Sequence, residues 1–438
     1  MMQSIKIQWF KWHSWLGVFS GLLMFIIFWG GTFATISHEL DWLVNPVLRV
    51  EVSKNPATLA VMYDKIVKEY PDAKIQAIQA PLYHNFAAHA IVKLPDKQVR
   101  RIYINPYTLQ ITGDVTYFNL QIYFRQLHQN FFGLFGYGKY IVTFMSIFLL
   151  GILVSAIYLY KNWWQNFFKL KSYKKGSRSF WSSLHKLLGL WSIWFIVIMG
   201  VTGVWYLFEH TRQHKIDKIF AYSDTVTGAV KPIAKLDIND TKTWAFSQLF
   251  EKVSTLRPDL EIKGVTPSRG GYFYVEGQTK HLLVRDRANK VFLDPRDASV
   301  VYSQNAGELS PYWRWSDTAD PLHFGSFYGL TSKVIWFIFG IFISLLSLTG
   351  TWLYIKRLQK NTISKSLLWA SGLSLLIFVS TLPVPFVILK KVGPMVDGVK
   401  VMAEAPLGVT LFLSSWILLT LSICIFCFVL LFRLRKKT

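Results

Sequence analysis

The chain has 438 residues, 52% of them hydrophobic, and carries 48 Lys and Arg against 25 Asp and Glu, a formal net charge of +23. That apolar content excludes an ordinary soluble domain, and because the basic residues flank apolar stretches the charge argues against nucleic acid as a partner. The only cysteines, Cys424 and Cys427, lie in the last apolar stretch, so no disulfide staples an outer domain.

Six stretches reach the about 20 apolar residues a bilayer crossing needs. The first, Trp15–Ile36 within a unit spanning 9–37, lacks a small-residue cleavage site and is followed by His38-Glu39, so it reads as a retained anchor. Residues 38–135 then form a first outer segment. It holds a helical stretch, Val61–Tyr70, that ends at Pro71-Asp72, then alternating strand-like runs at Ala88–Leu94 and Arg100–Ile104 and a turn at Tyr103-Ile104-Asn105-Pro106. Helix first and period-two runs after it read as a small α+β domain. Leu127-His128 precedes the second span, Tyr140–Leu159 (136–160).

A basic loop follows at 161–183, and Lys161 to Lys186 carries seven Lys or Arg and no acid. The third span is Leu187–Phe208 (184–208). The second outer segment, 209–330, repeats the pattern with a helical Phe246–Leu256 before Pro258-Asp259 and a turn at Phe292-Leu293-Asp294-Pro295. Leu322-His323 leads into the fourth span, Val334–Tyr354 (331–356). The fifth and sixth, Leu367–Leu389 (365–390) and Leu407–Phe432 (407–432), lie outside the repeat as an added hairpin, with Pro383 and Pro385 breaking the end of the fifth. All 25 acids fall in Glu39–Asp114, Glu209–Asp320 or at Asp397 and Glu404. Basic loops stay cytoplasmic, so both termini are expected inside, in contact with anionic lipid, and the long segments outside. Trp9, Trp12, Trp163, Trp164 and Trp181 read as an inner aromatic belt.

Six of the ten histidines form two matching sets of three: His13, His38 and His128, then His185, His210 and His323. His13 to His185 and His38 to His210 are each 172 residues apart, and the surrounding Trp12-His13-Ser14-Trp15-Leu16-Gly17 matches Leu184-His185-Lys186-Leu187-Leu188-Gly189. Histidine is costly in a membrane helix without a partner or cofactor, and a duplicated set makes haem the leading candidate. On a straight helix His13 to His38 spans ~38 Å, which places His13 and His185 near the inner face and His38, His128, His210 and His323 near the outer. One haem is expected on His13 and His185. A second is expected on two of the outer four, with His128 and His323 preferred; the alternative uses all four for two closely spaced haems. Two imidazoles per iron favour electron transfer over oxygen binding.

The duplicated His-x-x-x-Gly span, outer domain, Leu-His and second span resemble the PepSY-associated transmembrane family over residues 9–357. With His38-Glu39 and Glu209-His210 at the ends of the first spans, the chain is similar to the di-haem inner-membrane ferric-siderophore reductases. That resemblance implies a bacterial inner-membrane α-helical protein: six transmembrane helices, a four-helix core plus a C-terminal hairpin, under two outer α+β PepSY-like domains. It implies two haem b groups and a ferric siderophore or similar iron chelate as substrate. No cytoplasmic stretch is long enough to fold alone, so electrons are expected from quinol or a separate cytoplasmic reductase.

Glu39 and Glu209, each beside a membrane-edge histidine, are candidates to orient an imidazole or to lie as interfacial carboxylates. Tyr312, Trp313, Arg314 and Trp315 are candidates for stacking on an organic chelate, or for an outer aromatic belt. His84, His89, His214 and His281 are expected to face solvent, although the spacing of His210 and His214 also suits a shared divalent metal. The Cys424/Cys427 pair reads as small apolar residues in a lipid-embedded helix. A membrane sensor or regulator without redox activity is the alternative from another class, but it leaves six histidines unexplained. A chelate transporter ranks last, for want of paired helix interruptions.

Overall fold

The two outer segments do not fold apart: their strands join edge to edge in one eight-stranded sheet. The computed structural model describes residues 2–160, 163–168, 174, 176–212, 235–238, 242–281, 283–358 and 364–435. The first apolar stretch is two helices, α1 (Met2–Phe19) and α2 (Gly21–Thr35), bent by 60° at Ser20. At the bend the Ser20 hydroxyl donates to Leu16 O at 2.7 Å, a back-bond that favours bending. The bend makes the rise from His13 to His38 shorter than a straight helix would give.

A short helix α3 (Ser37–Val44) carries His38, Glu39 and Asp41. The first outer unit follows as α4 (Leu59–Glu69), β1 (Lys74–Gln79), β2 (Ala88–Lys93), β3 (Val99–Ile104) and β4 (Ile111–Thr116). The Thr58 side chain caps α4 by accepting from Val61 N. The chain returns through α5 (Leu120–Asn130), whose first turn is held by Asn119 and by the buried Asp41 carboxylate, which accepts from Leu120 N and Gln121 N at 2.9 and 3.1 Å. Helix α6 (Gly138–Leu159) completes the first half.

The second half repeats this order: α7 (Arg178–Trp191), α8 (Ile193–Thr211), α9 (Phe246–Leu256), β5 (Glu261–Arg269), β6 (Tyr272–Gln278), β7 (Asn289–Leu293), β8 (Val300–Gln304), α10 (Pro311–Phe324) and α11 (Gly329–Arg357). Ser192 separates α7 from α8 172 residues after Ser20, so the helix break is itself duplicated. A C-terminal group follows, α12 (Lys365–Thr381), α13 (Val384–Val392), the short β9 (Met395–Val396) and β10 (Val399–Lys400), and α14 (Leu407–Arg435). Pro383 marks the α12–α13 break, where the missing N–H ends a helix. Met395 N donates to Asp96 O at 2.9 Å and so fastens the hairpin turn to the first outer unit.

The sheet order is β4-β3-β2-β1-β5-β6-β7-β8, antiparallel throughout, with Ile78 opposite Val265 and Gln79 opposite Gly264 at the central joint. Helices α4 and α9 share one apolar core with it, including Ile66, Ile78, Leu249, Val253 and Val265, and Tyr63 stacks on Phe246 with centroids 3.7 Å apart. Beneath the sheet, α2 packs on α11 and α6 on α8. Among the described residues five helices are long and apolar enough to cross a membrane, and the bent α1–α2 pair makes a sixth if it is one span.

Candidate functional site: paired imidazoles at two ends of the core

Four of the six repeat histidines share one local arrangement. His13 Nδ1 lies 2.9 Å from Ser155 Oγ, His185 Nδ1 2.8 Å from Thr349 Oγ1, His323 Nδ1 2.7 Å from Thr202 Oγ1 and His128 Nδ1 2.8 Å from Ile27 O. The partners fix the tautomer. Ser155, Thr349 and Thr202 each donate their only hydroxyl proton to a carbonyl one turn back, Ile152 O, Leu345 O and Ile198 O. A carbonyl and three such hydroxyls are left as acceptors, so every Nδ1 carries the proton and donates, and every Nε2 keeps its lone pair. That is the form in which a histidine ligates metal, oriented by a partner on its other nitrogen.

His128 and His323, on α5 and α10, come together on the sheet side of the core with ring centroids 5.9 Å apart. Imidazoles on opposite sides of one metal ion, each with nitrogen at about 2.0 Å, have centroids about 6 Å apart. His128 lies flat on Gly31 of α2, where an added Cβ would stand 2.7 Å from its Nδ1 and Cε1. His323 packs against Tyr206, whose hydroxyl donates to Asp320 at 2.6 Å.

At the far end His13 and His185 line a cavity of about 730 Å³, within the range of about 300–1,000 Å³ usual for ligand pockets. Its walls are mostly apolar, with Leu149, Leu153, Ile193, Ile343 and Leu346 among them, and it reaches Met24 and Phe28 in mid-bundle. Gly17 leaves open space where a side chain would stand, and Gly350 holds His185 at contact distance. A flat apolar macrocycle with imidazole on each face suits this donor set and shape. Phe28, Phe195 and Trp336 pack between the two ends, and Trp336 Nε1 donates to Leu322 O beside His323.

The other sequence candidates sit elsewhere. His38 is exposed on α3, with Lys333, Glu39, Arg101 and Arg125 as its charged neighbours, and His210 packs on Tyr140 at 4.5 Å. Neither lines the His13/His185 cavity, and His89 lies within electrostatic reach of His38. Glu39 turns from His38 to accept from Tyr83 and Lys333 at 2.7 and 2.8 Å, and Glu209 accepts from Ser316. Tyr312 and Trp315 pack on Trp205, Arg212 lies over Tyr312 and Trp313, and Arg314 donates to Ala306 O. The aromatic run therefore closes an internal cluster, since α10 presents it to α8.

Among the remaining histidines, His84 is exposed as expected. His89 is not free in solvent: it lies in β2, tilted on Tyr103 and bonded to Arg101 at 3.1 Å. His281 is half-buried against Gly307, and His214, with its proposed metal pairing to His210, lies outside the described residues. No cluster of three or more His, Cys, Asp or Glu suited to a metal ion occurs among the described residues. Cys424 is buried and Cys427 half-buried in the packing of α14, as the apolar reading expects. Sequence reasoning missed Ser155 and Thr349. The signal was present, because they are 194 residues apart, the same offset as Lys139 and Lys333 in the two closing helices.

A duplicated helical core carrying membrane-length apolar helices under a single outer sheet defines a multi-pass membrane protein. The chain belongs to the family described as the PepSY-associated TM region, which it matches over residues 10–357. A comparison with curated proteins finds no match.

Proposed function

We propose that this protein is a haem-b electron-transfer protein of the bacterial inner membrane, and that it reduces ferric iron in a siderophore-type chelate on the sheet side. The observation that carries the reading is the set of four imidazoles, each with Nδ1 against a hydroxyl or carbonyl oxygen, grouped at two ends of one core. Haem b at each end would supply one-electron chemistry. His128 with His323, and His13 with His185, would hold the two groups, and two imidazoles per iron would favour electron transfer over oxygen binding. Ser155, Thr349, Thr202 and Ile27 O orient the rings and raise their basicity. Phe28, Phe195 and Trp336 keep water out of the space between.

The substrate rests on the likeness to ferric-siderophore reductases. One-electron reduction suits iron release because hard oxygen donors hold Fe(II) less tightly than Fe(III). In this reading the termini and the His13 end are cytoplasmic, and quinol or a separate reductase supplies electrons there. The test is a reduced-minus-oxidised visible spectrum of the purified protein, with a pyridine haemochrome count. A low-spin b-type spectrum near two haems per chain is expected. A colourless protein from haem-replete cells overturns it and leaves a PepSY-based membrane regulator without redox activity.

A further inference from the structure

The mouth of the His13/His185 cavity holds two guanidinium groups, Arg178 and Arg357, within electrostatic reach of one another. Among the described residues no carboxylate stands beside them to neutralise that charge. The four membrane-edge loops and tails at this end carry only Lys and Arg, and no described carboxylate lies there. Arg178 is also the first residue of α7, where the positive end of the helix dipole disfavours a cation and favours an anion. Arg357 is fixed in place: it lies over Phe10 and Tyr354, at 4.7 and 5.2 Å from the ring centroids, and reaches Ser14 Oγ at 3.4 Å. An arginine held over two rings, a second arginine within its electrostatic reach and a helix N-terminus, all lining an apolar slot, make a receptor for a pair of oxyanions.

We propose that Arg178 and Arg357 clamp two carboxylates at this mouth, and that these are the propionates of a haem held by His13 and His185. The assignment rests on the haem reading above. The same chemistry would accept the phosphate of an anionic lipid, and charge at a membrane edge also serves topology, so the test must separate these sources. Propionates are favoured because the arginines line the same cavity as the two imidazoles, and a porphyrin carries its carboxylates on one edge.

The test uses the full chain, prepared free of haem, in phosphatidylcholine nanodiscs, titrated with haem b and with its dimethyl ester. Wild type is expected to bind the ester at the inner site roughly ten- to hundredfold more weakly than haem b, the loss of one or two charge-assisted hydrogen bonds. The R178Q/R357Q protein is expected to bind the two porphyrins alike at that site. The outer centre, unchanged in both proteins, is the internal reference, and the wild-type comparison stands alone if the variant does not fold. Equal binding of both porphyrins by wild type overturns the clamp and leaves the haem reading intact. If that equality comes with a requirement for phosphatidylglycerol that only the wild type shows, the arginines are assigned to lipid. A chain that takes up neither porphyrin overturns both the clamp and the haem reading.

Discussion

Glu39 and Lys333 belong to opposite halves of the repeat and meet as an ion pair at 2.8 Å, with side chains only 15% and 8% exposed. The pair ties the helix that follows the first span to the start of α11, the closing helix of the other half. Its counterpart is looser: Lys139 begins α6 and has Glu209 and Asp320 as charged neighbours. Lys333→Met leaves Glu39 with Tyr83 alone and is expected to destabilise the protein by about 3 kcal/mol, the scale for removing one partner of a buried pair. Glu39→Gln/Lys333→Met should cost less than the sum of the two single changes. Thermal unfolding in detergent measures both, and additive losses would mean that the pair is not coupled.

The surroundings of His128 and His323 yield a second expectation. Gly31→Ala places a methyl group inside contact distance of the His128 ring, so the ring must move, at a cost of about 1–3 kcal/mol in overpacking. Thr202→Val keeps the volume but removes the acceptor for His323 Nδ1. Loss of such a partner typically weakens a metal site about 10–100-fold. Under the haem reading both changes lower the haem count of the outer centre and leave the inner one unchanged, and a haemochrome count reads this directly.

Asp41 should give the fold a pH dependence. Burial pushes its carboxyl up from 3.8 to about 7, against the two N–H donors at the start of α5. A group whose folded pKa is raised contributes stability that is complete below the unfolded pKa and is lost as pH rises through the folded one. Thermal stability is therefore expected to decline from about pH 4 to above pH 7 by this group's share. Asp41→Asn should flatten that slope. An unchanged slope in the variant would assign it to other groups.

The joint between the outer units rests on the Tyr63–Phe246 stack as well as on β1 and β5. An aromatic pair of this kind is worth about 0.5–1.5 kcal/mol beyond its buried area. A double-mutant cycle on Tyr63→Leu and Phe246→Leu should return a coupling in that range. A value near zero would mean that the strand joint holds the units together without the stack.

The pieces that depend on local pattern were readable in the sequence. Apolar length marks the spans, the 172-residue offset marks His13 with His185, and the helical stretches ending at Pro71 and Pro258 stand where α4 and α9 are found. Pieces set by long-range pairing were not. Alternation in Lys74–Gln79 gives that strand a buried face but names no neighbour, so the Ile78–Val265 pairing that makes two sheets into one left no local trace. Hydropathy runs unbroken through Ser20 and Ser192, and a single serine barely lowers the mean, which hid both helix breaks. The direction of Tyr312–Trp315 depends on how α10 lies on α8, and spacing alone could not show that the run faces inward.

The six histidines divide on geometry, and that division gives the sharpest expectation. His128 and His323 face each other at 5.9 Å, and His13 and His185 share a cavity, whereas His38 has Glu39, Lys333 and His89 within electrostatic reach and His210 packs on Tyr140. His128→Ala or His323→Ala should remove about one haem per chain or turn it high-spin, and so should His13→Ala or His185→Ala, because the iron would be left with a single imidazole. His38→Ala and His210→Ala should keep both haems and an unaltered low-spin spectrum. The two sets also differ in place, so midpoint potentials measured in each single-site variant should resolve one centre at a time. If His38→Ala or His210→Ala removes a haem, the outer ligands are not His128 and His323 alone, and the arrangement with all four outer histidines as ligands takes its place.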